Sequence, residues 1–131
     1  MKSRDTLLRL KRFQADEKRR RVAQIEMMIA EFSRMTADLD KEIAGEEQRA
    51  RISDPSHFAY PTYARAARTR RDNIVSSLDE LKGQLEAAQA AAAEAQEELA
   101  KAENLEGREK AAERIPEPAR AAEIGLRMAR A

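Results

Sequence analysis

From Val22 onward, apolar residues recur at alternating steps of three and four: Val22, Ile25, Ile29, Phe32, Thr36, Leu39 and Ile43. That spacing lays a narrow stripe along one face of a long helix, as in a coiled-coil seam. Thr36 is the one polar member, a register device that lowers stability, and Met28 and Met35 flank the seam and widen it. Upstream the stripe loosens. Leu8 and Ala15 keep phase, but Lys11 and Lys18 take the alternate positions, so the first turns are expected to be poorly covered by a partner helix alone. Ser3 or Asp5 is the expected N-cap, and the pattern carries this helix to about Ile52.

The same period returns in Ile74, Leu78, Leu81, Leu85, Ala88, Ala92, Ala95, Leu99 and Ala102, predicting a second long helix that starts near Pro61 or Thr62. Its middle seam is alanine. At roughly 25 cal/mol per Å² a methyl group contributes well under half of what a leucine does, so this half should be the weaker one. Between the helices lies Ser53–Thr62, the one clear break. Pro55 and Pro61 cannot both sit inside one regular helix, and Asp54-Pro55 reads as a cap and first-turn proline that restart one. The predicted fold is all-α: a long antiparallel two-helix coiled-coil hairpin over 1–115. It has helix 1 at about 4–52, the bend at 53–62 and helix 2 at about 63–112. Gly107 could cap the second helix, or a Glu106–Lys110 pair could carry it further. Pro116 and Pro118 would end it, leaving 116–131 as a flexible or short-helical tail with Ala122 and Leu126 on one side.

Composition sharpens this picture. Of 131 residues, 42% are apolar, but 26 of those are alanine; aromatics are 4% and charged residues 37%. Strong helix formers with little bulk to fill a broad core mean long helices with a thin seam. The net charge of +1 gives no overall attraction to nucleic acid or membrane, and the absence of cysteine removes disulfides and thiolate sites. Apolar runs reach four residues at most (Met27–Ala30, Ala90–Ala93), too short for a membrane span. The first twenty residues lack a signal-peptide core, which points to a chain that stays in the cytoplasm.

Charge distribution supports the hairpin. Residues 1–21 hold nine Lys/Arg and three Asp/Glu (+6); residues 74–106 hold two Lys/Arg and eight Asp/Glu (−6). An antiparallel fold with facing numbers summing to about 114 sets Lys18-Arg19-Arg20-Arg21 opposite Glu94, Glu97 and Glu98. A parallel pair of chains would set the basic run beside another basic run. Exposed ion pairs contribute a few tenths of a kcal/mol each, so they choose orientation more than they stabilise.

Little here suggests chemistry on a substrate. His57 is the single histidine, sits in the bend and has no cysteine or second histidine to join it, so it reads as a solvated loop side chain. The carboxylates fall at helical spacings beside cations (Asp16 and Arg20, Glu17 and Arg21, Glu97 and Lys101), the pattern of a solvated face. No phosphate loop or nucleophile elbow is present, and no catalytic residue, metal ligand or cofactor is expected. The basic start can be satisfied by the acidic second helix. It can instead bind nucleic acid, lie on an anionic membrane through Leu7, Leu10 and Phe13, or dock in an acidic protein cavity. Asp5, Asp16 and Glu17 dilute the nucleic-acid and membrane readings. Phe58, Tyr60 and Tyr63 either plug the end of the hairpin or present a partner surface.

Two stretches carry a family resemblance: Lys2 to Gln14 with Lys18 to Glu26, and Ser53-Asp-Pro-Ser-His-Phe-Ala-Tyr-Pro-Thr-Tyr-Ala-Arg65 followed by the heptads. Across about 2–106 the chain resembles FliJ, the coiled-coil component of the flagellar type III export apparatus. The resemblance implies a non-enzymatic stalk similar to the shaft of rotary ATPases, cytoplasmic and peripheral to the inner membrane at the flagellar base. Its implied partners are a FliI-like hexameric export ATPase and an FlhA-like export gate, with an escort role for export chaperones. By position, Arg9, Lys11, Arg12, Lys18, Arg19, Arg20 and Arg21 would enter the ATPase ring, and Phe58, Tyr60 and Tyr63 would reach the gate. The alternative from another class is a self-associating coiled-coil scaffold or adaptor with no ATPase partner.

Overall fold

The computed structural model describes residues 2–113, so the expected tail and the Pro116–Pro118 stop lie outside the described residues. Helix α1 (Lys2–Ala50) and helix α2 (Thr62–Glu113) pack antiparallel as a helical hairpin. Because α1 starts at Lys2, Ser3 and Asp5 lie inside it rather than capping it; Asp5 serves as a first-turn anion near the positive end of the helix dipole. Helix α2 passes straight through Gly107, where Lys110 Nζ meets Glu106 at 3.0 Å one turn away.

The first helix stops at Ala50, two residues before the expected Ile52, and the cause is local. Arg51 adopts a left-handed backbone (φ 58°). Its N–H donates to the Gln48 carbonyl at 3.3 Å, and the Ile52 N–H donates to the Glu47 carbonyl at 3.2 Å. These two bonds make a Schellman cap with arginine where glycine is usual. Asp54-Pro55 then forms a turn instead of restarting a helix. The His57 N–H donates to the Asp54 carbonyl at 3.1 Å, with Pro55 in the second position that its fixed φ favours. Asp54 Oδ1 accepts from the Ser56 N–H (3.0 Å) and hydroxyl (2.7 Å), an Asx turn whose hydroxyl bond holds the carboxyl below the usual aspartate range. The Pro61 carbonyl accepts from the Arg65 N–H at 3.0 Å and so opens α2.

The packing divides into two compact units. In the unit spanning 17–92, Ile25 is the largest side chain fully out of water, and Leu39, Ile43 and Ala67 cluster with Ile74 against them. The seam also runs upstream of Ile74, through Arg71, Ala67, Ala64 and Tyr60, at the same three-and-four steps. Met35 lies half-buried beside this seam, while Met28 is 40% exposed and flanks it only in part. The alanine stretch has a visible consequence: Lys18, Arg21, Ile25, Gln84, Ala87, Ala88 and Ala91 border a shallow groove of about 290 Å³.

In the unit formed by 2–16 with 93–113, Leu8, Ala15 and Leu99 form the core, with Ala95 and Ala102 packed on it. The first turns are thinly covered, as the sequence suggests: Leu8 is buried, while Leu7, Leu10 and Phe13 are exposed. Lys11 keeps seam phase, lays its stem along the interface and reaches Glu98 at 3.8 Å with its side chain 26% exposed. Partners across the hairpin have numbers that sum to 105 for Glu42 with Tyr63 and 115 for Arg12 with Glu103, mostly below the expected 114. The earlier stop at Ala50 moves the reversal toward the N-terminus.

The left-handed Arg51 is the strained point of the fold, since a Cβ disfavours that backbone by about 1–2 kcal/mol. Its substitution Arg51→Gly is expected to stabilise the hairpin, by up to about 1 kcal/mol once the extra freedom of glycine in the unfolded chain is subtracted. Arg51→Val should destabilise it. Urea unfolding followed by helical circular dichroism checks both signs.

Candidate partner-binding surfaces

Seven cations carry the expected ATPase-facing surface, and each belongs to one unit. Arg9, Lys11 and Arg12 lie in the unit built on 2–16 and 93–113. There Arg9 is exposed, Lys11 pairs with Glu98, and Arg12 Nε is 3.9 Å from Glu103; Arg4 also pairs with Glu109. Lys18, Arg19, Arg20 and Arg21 lie in the other unit, all exposed. Glu98 takes Lys11 and, one turn along its own helix, Lys101 at 3.8 Å. Lys18 and Arg21 instead rim the alanine groove, and Arg20 meets Glu17 of its own helix at 2.9 Å. Local pairs form at both helical spacings, three residues for Glu17 with Arg20 and Glu98 with Lys101, four for Glu106 with Lys110. Helix neighbours at both spacings lie within reach, so rotamer fit decides between them.

The three bend aromatics separate. Tyr60 is 4% exposed and belongs to the hairpin itself, which removes it from any partner surface. Its hydroxyl donates to Glu47 Oε1 at 2.8 Å, Arg68 approaches the same oxygen at 3.6 Å, and the Arg65 guanidinium lies 5.5 Å above the ring. Burial, followed by the Glu47 carboxylate, pushes the Tyr60 phenol up from its ordinary value. Tyr63 stays on the surface, with its hydroxyl donating to Glu42 Oε2 at 2.9 Å; that bond is the main reason its phenol is also raised. Phe58 is 94% exposed and stacks on His57 at 4.7 Å between ring centroids. His57 has a job beyond solvation: its Nδ1 accepts the Ala59 N–H at 3.0 Å and shapes the turn that presents Phe58.

A second charge pattern, of acids on α1 against arginines on α2, lies close to the bend. Asp40, Glu42 and Glu47 near the end of α1 face Arg68, Arg71 and Tyr63 at the start of α2. Arg71, in seam phase, bonds Asp40 at 3.0 Å and Asp72 at 3.0 Å, and these hold its guanidinium even more firmly protonated. The acids clustered at 38–47 and the arginines at 65–71 were the available signal.

Among the described residues, no three His, Asp or Glu side chains are placed to hold a metal ion, and no helix is long and apolar enough to cross a membrane. No family model, curated protein or solved structure matches the chain.

Both phenols are raised in the folded state, so their contribution to stability is complete below about pH 10, the free tyrosine value, and is lost as pH climbs through the raised values. A tyrosinate absorbance titration should therefore show both transitions above that of the unfolded chain. Glu42→Gln should return Tyr63 most of the way to the ordinary value. Glu47→Gln should leave Tyr60 still high, because burial outranks the carboxylate there.

Proposed function

We propose that this chain is a non-enzymatic stalk of the FliJ kind in a flagellar type III export apparatus, cytoplasmic and peripherally associated with the inner membrane at the flagellar base. It enters the ring of a FliI-like hexameric ATPase, links it to an FlhA-like gate, and has an escort role for export chaperones. The observation that supports this reading best is the antiparallel pairing of two long helices whose first member holds Arg9, Lys18, Arg19, Arg20 and Arg21 out to solvent. An ATPase ring lined by acidic groups would receive those cations, and contacts that change around the ring would couple nucleotide turnover to the hairpin. In this reading Arg9, Lys11, Arg12 and Lys18 to Arg21 meet the ring. Phe58 and Tyr63 meet the gate, with Tyr60 fixing the turn that carries them.

Adding the purified chain to the export ATPase should raise its turnover, and the triple change Arg19→Glu, Arg20→Glu, Arg21→Glu should abolish that gain while the helical signal persists. If turnover does not respond and light scattering shows stable dimers across dilution, the scaffold reading replaces the stalk. Exposed Leu7, Leu10 and Phe13 would favour such self-association.

A further inference from the structure

Helix α1 carries apolar surface that the hairpin does not use. Met27 is 72% exposed and Met28 40% exposed, while Ile25, in the same turn, is 1% exposed. The two methionines and Ala30 line an open depression of about 600 Å³ together with Gln24 and Glu31, which fall between the methionines around the helix, and Arg21 and Arg34, which stand furthest apart along it. Every one of these side chains comes from α1. Met27 lies on the face away from the seam, and Met28 only flanks it. Methionine suits such a place, because its unbranched, polarizable side chain reshapes to fit an incoming apolar surface.

We propose that this face docks an amphipathic helix of another protein, one with an apolar stripe between two carboxylates. The ends of the patch set the chemistry. Arg21 and Arg34 are thirteen residues apart, which at 1.5 Å per residue is about 20 Å along the helix. A helix lying alongside meets both guanidinium groups if its acids are separated by the same span and flank its stripe, and its apolar residues at helical spacing fall on Met27 and Met28. A second copy of this chain fits badly. Laid antiparallel about Met27 and Met28, it would set Arg21 against Arg34 at both ends; laid parallel, it would set each arginine against itself and Glu31 against Glu31. Like charges so placed repel. A phosphate surface fits less well than carboxylates, since Glu31 stands within the patch. The inference does not depend on the stalk reading, and its failure would leave that reading untouched.

The test uses the full chain and a fluorescein-labelled synthetic helical peptide of about eighteen residues, roughly five turns, which is long enough to carry two acids thirteen residues apart. It carries leucines at i, i+3, i+4 and i+7 and two glutamates thirteen apart; a control has lysines in place of the glutamates. Fluorescence anisotropy should show at least a tenfold preference for the glutamate peptide, and the double change Arg21→Glu, Arg34→Glu should reverse it. Methyl NMR of the methionines should show Met27 and Met28 shifting on binding while Met35 stays. A preference that ignores the charge swap, binding that leaves the Met27 and Met28 signals unmoved, or no binding would each overturn the proposal. So would a dimer of the chain alone that Met27→Glu dissolves, since a second copy would then own the patch.

Discussion

Everything in this hairpin depends on where the chain reverses, and Glu47 is at the centre of that event. Its backbone carbonyl accepts the Ile52 N–H in the Schellman cap, and its carboxylate accepts the Tyr60 hydroxyl. One residue thus ends the first helix and secures the ring that precedes the second. Arg68 supplies the compensating charge at 3.6 Å. In a two-helix fold the register is set by the bend, because the seam repeats every seven residues and would tolerate a slip of one repeat. Tyr60, anchored on Glu47, removes that freedom. The strained Arg51 is tolerated because the bonds on either side of it hold the backbone there.

Charge distributes along the two helices in a way that reinforces the same register. The first helix begins basic and ends acidic; the second begins with arginines and continues acidic. Asp40 with Arg71 works near the bend, and Lys11 with Glu98 works in the other unit. A shift by one heptad would break such pairs at both places. Each exposed pair contributes only a few tenths of a kcal/mol, yet a consistent set penalises the wrong registers together.

The seam was legible in the sequence because it is a local property: the period of three and four survives whatever the partner helix does. Leu39, Ile43, Leu78, Leu81 and Leu99 are buried where that period put them. What was not legible depended on contacts distant in sequence. Nothing near Tyr60 announces that its ring will fold back on Glu47, and the aromatic cluster alone grouped it with Phe58 and Tyr63. Similarly, the charge of Lys11 marks a gap in the seam, while its four-carbon stem covers the interface and carries the ammonium to Glu98. The left-handed Arg51 is the clearest case, since a glycine there would have marked the helix end and arginine hid it.

The alanine seam and the exposed methionines bear on each other. Alanine at 88, 91 and 92 buries little, and Ala88 and Ala91 border a groove, so that stretch gains less from the hairpin than the leucine-rich parts do. The same turns of α1 turn Met27 and Met28 outward, with Arg21 touching both the alanine groove and the methionine depression. A chain selected only to fold would put bulk into the seam and charge on the outside. Here α1 keeps its bulk inward, with Ile25 fully buried against the thin alanine face of α2, and still leaves Met27, two residues on, 72% exposed. Covering that face would take out of water apolar area that the fold itself leaves exposed.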